Sequence, residues 1–148
     1  METSGIAPLV REYIGDPVLI KHAAFIKRHK EESFIPLHQD SALWERPYKT
    51  AITVWVALTD SKKSNGGMFY YPYIENLFPH EFDLRYPSFK CIPCDRLKIG
   101  DEDLKPIEVS SGSIVIWPAN LPHGSYSNIS GQFRLGMPMV FVSKSELE

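Results

Sequence analysis

The stretch Leu37-His38-Gln39-Asp40-Ser41 is the part of the chain from which the fold and its chemistry follow. Residues 34–36 before it are mostly apolar, so we predict an extended strand that leads into the stretch. Successive side chains of a strand point to opposite faces, which places His38 and Asp40 on one face and Gln39 on the other. An imidazole and a carboxylate aimed at one point are two of the three protein ligands in the 2-His-1-carboxylate triad of non-heme Fe(II) sites. A second histidine must then come from a distant part of the chain.

The sequence offers four other histidines for this role. His22 and His29 lie near charged residues, which predicts solvent exposure, and His80 lies in a segment without clear periodicity. His123 follows a strongly apolar strand and stands in a turn, where a polar side chain can be presented to a cavity. We therefore predict His123 as the third ligand. Arg134 then interrupts a long apolar strand, and a buried guanidinium is suited to bind a carboxylate through two hydrogen bonds.

Each of these features also has an ordinary explanation. A His-x-Asp pair occurs by chance in many proteins, and Arg134 could pair with an internal glutamate. The metal-site interpretation depends on the dyad, the distant histidine and the arginine occurring together.

Length and composition favour one mainly β domain over residues 1–148. The 12 prolines and 9 glycines separate short apolar runs, which indicates seven or eight short strands, as in a β-sandwich or jelly roll, with few short helices. The run 50–59 is apolar and β-branched, which predicts a strand buried on both faces. We place the core at about residues 25–142, with an insertion at about 73–106 that could carry a substrate lid.

Charge and hydropathy exclude several classes of partner. The net charge is −2, and the one basic cluster, at 27–30, is followed directly by two glutamates, so we expect no nucleic-acid partner. No stretch has the length of a membrane span, and no signal peptide is recognisable, so we expect a cytoplasmic protein without membrane contact. Cys91 and Cys94 form a lone CxxC without further zinc ligands, which favours two reduced thiols over a redox pair.

Several of these motifs together resemble the phytanoyl-CoA dioxygenase family of Fe(II)- and 2-oxoglutarate-dependent oxygenases. Members usually carry a longer region before the metal strand, so the resemblance implies a short or N-terminally truncated member. The motifs that carry it are His38-Gln39-Asp40, Trp55 within the run 51–58, Asn65-Gly66-Gly67-Met68, the run 112–117, His123-Gly124-Ser125, Asn128-Ile129-Ser130 and Arg134.

The resemblance implies a double-stranded β-helix, which is a distorted, cupin-like jelly roll. It implies that Fe(II) is held by the two histidines and Asp40, and that 2-oxoglutarate and O₂ are co-substrates. Arg134 would bind the distal carboxylate of 2-oxoglutarate, with Ser125 and Trp55 lining the same pocket. Lys27 occupies the place of a lysine often seen before the metal strand. The implied reaction is hydroxylation of a small organic molecule, with release of succinate and CO₂.

Two other functions stay open from the sequence. One is a truncated, non-catalytic β-helix module that binds metal or a ligand, and the other is a cupin-like metalloenzyme that uses no oxoacid. The second leaves Arg134 without a role. The oligomeric state and the substrate also stay open. The aromatic residues that either line a substrate pocket or fill the core are Trp44, Phe69, Tyr70, Tyr71 and Tyr73.

Overall fold

The computed structural model describes residues 5–29, 33–46, 48–74 and 77–148. Residues 30–32, part of the predicted basic cluster and of the two glutamates after it, lie outside the described residues. The helices and strands are α1 (Ile6–Ile14), β1 (Pro17–His22), β2 (Phe25–Lys27), β3 (Ile35–His38), β4 (Ile52–Ala57), β5 (Met68–Tyr70), β6 (Glu81–Asp83), β7 (Tyr86–Cys91), α2 (Cys94–Leu97), β8 (Lys105–Ile107), β9 (Ile114–Pro118), β10 (His123–Ser125) and β11 (Arg134–Ser143). Short 3₁₀ turns cover Asp40–Leu43, Asp101–Asp103 and Lys144–Glu146.

The strands form two main antiparallel sheets. In the first, the order is β1-β11-β4-β9, with β2 also paired to β11, and in the second it is β3-β10-β5-β8. Buried side chains from both sheets meet between them, notably Trp55 and Trp117 from the first and Met68 from the second. This arrangement is the double-stranded β-helix, or distorted jelly roll, that the sequence predicts.

The strand β4 lies between β11 and β9 and is buried on both faces, as its apolar sequence predicts. Thr53 and Trp55 point between the two sheets and line a cavity there. Val54 points to the opposite face, where it packs with Val10 of α1 and Phe141 of β11. The helix α1 therefore covers the outer face of the first sheet and leaves the inner face for the cavity.

The strand β3 forms an edge of the second sheet, where a proline such as Pro36 removes no ladder hydrogen bond. The hairpin of β6 and β7 lies beside β3. Just after β7, Ile92 N donates a hydrogen bond of 2.8 Å to Leu37 O of β3. The described part of the chain contains eleven strands, more than the seven or eight expected. The additional ones include β6 and β7, which the low periodicity of the 73–106 segment does not indicate.

Candidate functional site

His38 and His123 are direct partners across two neighbouring antiparallel strands. His38 is the last residue of β3, His123 is the first residue of β10, and the register places their Cα atoms opposite each other. Side chains of such partners project to the same face of the sheet. Their ring centroids lie 4.4 Å apart, at an angle of 49°. The pairing of β3 with β10 is thus what brings together two histidines that are distant in the sequence.

Asp40 completes the cluster because the chain stays extended for one residue after β3. Gln39 has φ −114° and ψ 128°, so the side-chain alternation continues and Asp40 returns to the face of His38. Asp40 Oδ1 lies 3.8 Å from His38 Nε2 and 4.0 Å from His123 Nε2. One ligand atom from each of the three residues lies within 4.8 Å of the others, a spacing that suits a metal ion.

The hydrogen bonds of the two imidazoles assign their tautomers. His38 Nδ1 is 2.9 Å from Pro36 O, and His123 Nδ1 is 3.0 Å from Leu121 O. A carbonyl oxygen only accepts, so both Nδ1 atoms carry a proton, and Nε2 is the ring nitrogen that is left to bind a metal. In both rings Nε2 lies within 4.0 Å of Asp40 Oδ1. A backbone carbonyl that holds the second ring nitrogen of a histidine is the usual support of a metal ligand.

Burial keeps His38 neutral. Desolvation, with a smaller contribution from the neighbouring His123, lowers the pKa of His38 to about 3. Neutral imidazole is the form that binds metals. Phe89 of β7 meets the His38 ring edge-on at 4.9 Å, and Trp117 lies against the His123 ring at 5.0 Å. His38 therefore has the protonation state that metal binding requires, and an aromatic ring packs against each imidazole.

The side chain of Thr53 fixes the carboxylate. Thr53 Oγ1 donates a hydrogen bond of 3.0 Å to Asp40 Oδ2, which leaves Oδ1 directed at the two imidazoles. Sequence reasoning missed this residue, although its alternation with Trp55 on β4 places both on the cavity face.

Arg134 lies in the same cavity, buried to 3% exposure. Its Nε and Nη2 donate hydrogen bonds of 3.1 and 2.6 Å to Gly66 O, and its guanidinium lies 5.3 Å from the centre of the Trp55 ring. Arg134 makes no ion pair within the part of the chain that the structure describes. Desolvation lowers its pKa to about 10, so it remains a cation at neutral pH. Arg134 lies in a strand as expected, but as the first residue of β11 and not in its middle.

Lys27 stands beside Arg134, since the two residues are register partners on β2 and β11. Its ammonium donates to Ser33 O and, at 2.6 Å, to Tyr126 O. Gly66 lies between the two cations, with φ +88°, and a Cβ atom there would come within 2.6 Å of Lys27 Cδ. Glycine adopts such a positive φ without strain, and the Gly66 carbonyl accepts both hydrogen bonds from Arg134.

The cluster and the two cations share one cavity of about 350 Å³ between the sheets. Ser125 and Trp55 also line it, so the structure brings all seven predicted site residues to one place. Among the candidate substrate aromatics, Trp44 lines the cavity. Tyr70, Tyr71 and Tyr73 are not among the described residues that line it. Phe69 is fully buried in the core cluster with Leu37 and Ile92.

Gln39 has a structural role that the sequence did not reveal. It is fully buried, its Oε1 accepts from Phe78 N at 2.8 Å, and its Nε2 donates to Asn120 O at 2.6 Å. Its backbone N donates to His80 Nε2 at 3.0 Å. The residue between the two ligands of the dyad thus anchors the turn that leads to His123 and the segment at 78–80. The only signal in the sequence was the position of Gln39 between the two ligands. Because His38 and Asp40 face the cavity, the side chain of Gln39 points to the opposite face, into the protein.

The two cysteines lie away from this cavity. Both are free, and burial raises the pKa of each thiol, which keeps them protonated. No helix among the described residues has the length and apolarity needed to cross a membrane.

A known protein family matches most of this chain. The family model described as phytanoyl-CoA dioxygenase (PhyH) matches residues 3–136. A comparison with curated proteins gives no match.

Solved structures share the fold. The non-heme monooxygenase ThoJ in its apo form is 23% identical, with a TM-score of 0.80, over 95% of this chain and 52% of that chain. The non-heme alpha ketoglutarate dependent carbocyclase SnoK from nogalamycin biosynthesis is 21% identical, with a TM-score of 0.72, over 93% and 55%. EctD from S. alaskensis, solved with 2-oxoglutarate and 5-hydroxyectoine, is 17% identical, with a TM-score of 0.75, over 95% and 49%. The chain spans about half the length of these proteins.

Proposed function

Because the chain belongs to the phytanoyl-CoA dioxygenase family, we propose that it is an Fe(II)- and 2-oxoglutarate-dependent oxygenase that hydroxylates a small organic molecule. The balanced reaction converts substrate, 2-oxoglutarate and O₂ into hydroxylated substrate, succinate and CO₂. One observation carries the proposal. The His38, Asp40 and His123 cluster shares a cavity with Arg134, a buried cation that has no ion-pair partner among the described residues.

The donor set fits iron. Two neutral nitrogens and one carboxylate oxygen on one side of an ion form the facial triad of Fe(II) oxygenases, which leaves positions for co-substrates. His38, Asp40 and His123 would hold the metal, which when bound supplies the chemistry of O₂ activation. The chain keeps the ligands in place through Thr53 and through the backbone carbonyls of residues 36 and 121.

The cationic end of the cavity fits the dicarboxylate 2-oxoglutarate. Arg134 would bind the distal carboxylate with its guanidinium, held in place by Gly66 O and the Trp55 ring. Lys27 adds a second positive charge beside it. Burial strengthens such charge-assisted hydrogen bonds, because little water competes for the carboxylate. Ser125 supplies a further hydroxyl on the same wall.

The apolar walls of the cavity would keep water away from the metal centre. Phe89 and Trp117 cover the imidazoles, which limits the access of water to the centre. A dry cavity protects a reactive centre from side reactions. Substrate would approach the metal from the remaining open part of the cavity.

The test is succinate formation from 2-oxoglutarate with added Fe(II) under air. We expect turnover in the unaltered protein and in His29→Ala, which changes an exposed histidine outside the cluster. We expect none in His38→Ala or Asp40→Ala. Persistent turnover in either variant would contradict the proposed site. Calorimetric binding of metal and 2-oxoglutarate without any succinate would instead establish a non-catalytic binding module.

A further inference from the structure

Residues from one edge of the first sheet line the cavity. They are Lys21 and His22 of β1, Ala23 in the connection, and Phe25 and Lys27 of β2. Apart from His22, they are spaced two residues apart, which is the spacing of side chains on one face of extended chain. This edge therefore presents a positive charge at each end of an apolar stretch. Lys27 belongs to the predicted oxoacid end, and Lys21 has no role in the proposed function so far.

The register places Lys21 in the same row of cross-strand neighbours as Thr53, which bonds to Asp40. Lys21 pairs with Val140 of β11, and Val140 pairs with Thr53 of β4, whose hydroxyl holds Asp40. Neighbouring strands lie about 4.8 Å apart, so the backbones of Lys21 and Thr53 are separated by about 10 Å. Lys27 pairs with Arg134, six positions before Val140 on β11, which is about 20 Å along the strand. Lys21 and Lys27 are thus two separate cationic positions on this edge of the sheet, and Lys21 is the one in the row of Thr53.

The wall around the Lys21 end is apolar. It includes Phe25, Leu43, Trp44 and Pro138. Asp40 is the only carboxylate among the described residues that line the cavity, and it faces the imidazoles. Lys21 is exposed at this wall and forms no ion pair within the described ranges. A cationic substrate would find no counter-charge here, whereas an acidic one would find Lys21.

We propose that the substrate is a carboxylic acid with an apolar or aromatic body, and that Lys21 binds its carboxylate. This inference rests on the proposed function, since it takes the metal cluster as the reacting centre. The apolar body lies against Phe25 and Trp44.

The test measures binding without turnover. The full chain is loaded with Ni(II) and saturating 2-oxoglutarate, so that the oxoacid end is occupied, and is titrated by calorimetry with 4-phenylbutyrate and 6-phenylhexanoate. The primary amides and the corresponding amines of the same bodies are the matched neutral and cationic probes. We expect each acid to bind about tenfold more tightly than its amide, and the amines to bind more weakly still.

Variants assign the preference to one residue. Lys21→Met should abolish the preference for acids, and Lys21→Glu should reverse it in favour of amines. Lys90→Met is the control, because Lys90 is exposed on β7 next to Phe89, and strand alternation directs it away from the cavity. We expect Lys90→Met to keep the preference. The three variants change two exposed lysine side chains, Lys21 and Lys90, so folding should be unaffected, which thermal unfolding checks.

The outcomes separate this inference from the function on which it rests. Failure of 2-oxoglutarate to bind the Ni(II)-loaded protein would overturn the proposed function. Normal 2-oxoglutarate binding with equal affinity for acids and amides, or a preference that survives Lys21→Met, would overturn the role of Lys21 alone. Absence of binding by every acid, while 2-oxoglutarate binds, would also overturn it.

Discussion

The hydroxyl of Thr53 donates a 3.0 Å hydrogen bond to Asp40 Oδ2, and so decides which carboxylate oxygen faces the two imidazoles. Thr53 is itself buried in β4, between strands that fix its backbone on both sides. Asp40, by contrast, lies in a 3₁₀ turn just after its strand ends. The ligand with the least regular backbone is thus oriented by a residue on one of the most buried strands.

Removing this hydroxyl should weaken metal binding. Thr53→Val keeps the side-chain shape but leaves Asp40 Oδ2 without its donor. Loss of such a supporting contact typically lowers metal affinity by about 10–100-fold. Calorimetric titration with Ni(II) measures the change, and Thr53→Ser, which retains the hydroxyl, is the control. Equal affinities of the valine and serine variants would show that Thr53 does not orient the ligand.

Replacing Arg134 should remove 2-oxoglutarate binding while sparing the metal. Arg134→Met eliminates the buried cation, and truncating one partner of a buried charge pair costs about 2–5 kcal/mol, which is at least about thirtyfold in affinity. Titration of 2-oxoglutarate onto Ni(II)-loaded protein measures this loss, and Ni(II) titration alone should be unchanged.

Arg134→Lys separates charge from geometry. Lysine keeps the positive charge but lacks the planar group that reaches Gly66 O through two nitrogens. We expect an affinity between those of the methionine variant and the unaltered protein. Unchanged 2-oxoglutarate affinity in Arg134→Met would place the oxoacid elsewhere in the cavity.

Local patterns predict most of this site, and non-local pairing supplies the rest. The shared face of His38 and Asp40 follows from alternation along one strand, which the sequence displays. The choice of His123 follows from its turn after an apolar run, but its position opposite His38 depends on β3 pairing with β10. No local signal encodes that register. The sequence therefore predicts which residues form the metal site, and only the structure gives the distances between them.

The partners of the buried polar residues were the least predictable part. Arg134 is predicted to bind the carboxylate of a ligand, but the sequence gives no sign that within the protein it donates two hydrogen bonds to the carbonyl of Gly66. Every residue has a carbonyl, so side-chain identity carries no information about which one is used. The same holds for Gln39, whose side chain bonds to the backbones of Phe78 and Asn120.

The metal-free protein should lose stability in mild acid. In the unfolded chain His38 takes up a proton near its ordinary pKa of 6.5, whereas in the folded protein its pKa is about 3. Between these values the unfolded state binds more protons, so stability falls as pH decreases, by about 1.4 kcal/mol per pH unit for this group. Burial also lowers the pKa of His80, which acts in the same direction.

Urea unfolding in the presence of a chelator measures this dependence. The free energy of unfolding should decrease steadily from about pH 6.5 downwards, and His38→Gln should make the decrease shallower by about one proton. An identical pH dependence in the unaltered protein and in His38→Gln would contradict a neutral, buried His38.

Adding one methyl group at Gly136 should disturb the oxoacid end of the cavity from a distance. A Cβ atom at Gly136 would lie 2.2 Å from Trp55 Cζ2, so the indole ring has to move. Overpacking of this kind costs about 1–3 kcal/mol of stability. Because the Trp55 ring supports the Arg134 guanidinium, Gly136→Ala should also weaken 2-oxoglutarate binding. Gly131→Ala is the control, since no atom lies within 4 Å of its added methyl group. Urea unfolding and 2-oxoglutarate titration of both variants test whether the Trp55 ring supports oxoacid binding. If Gly136→Ala loses stability but binds 2-oxoglutarate as tightly as Gly131→Ala does, it does not.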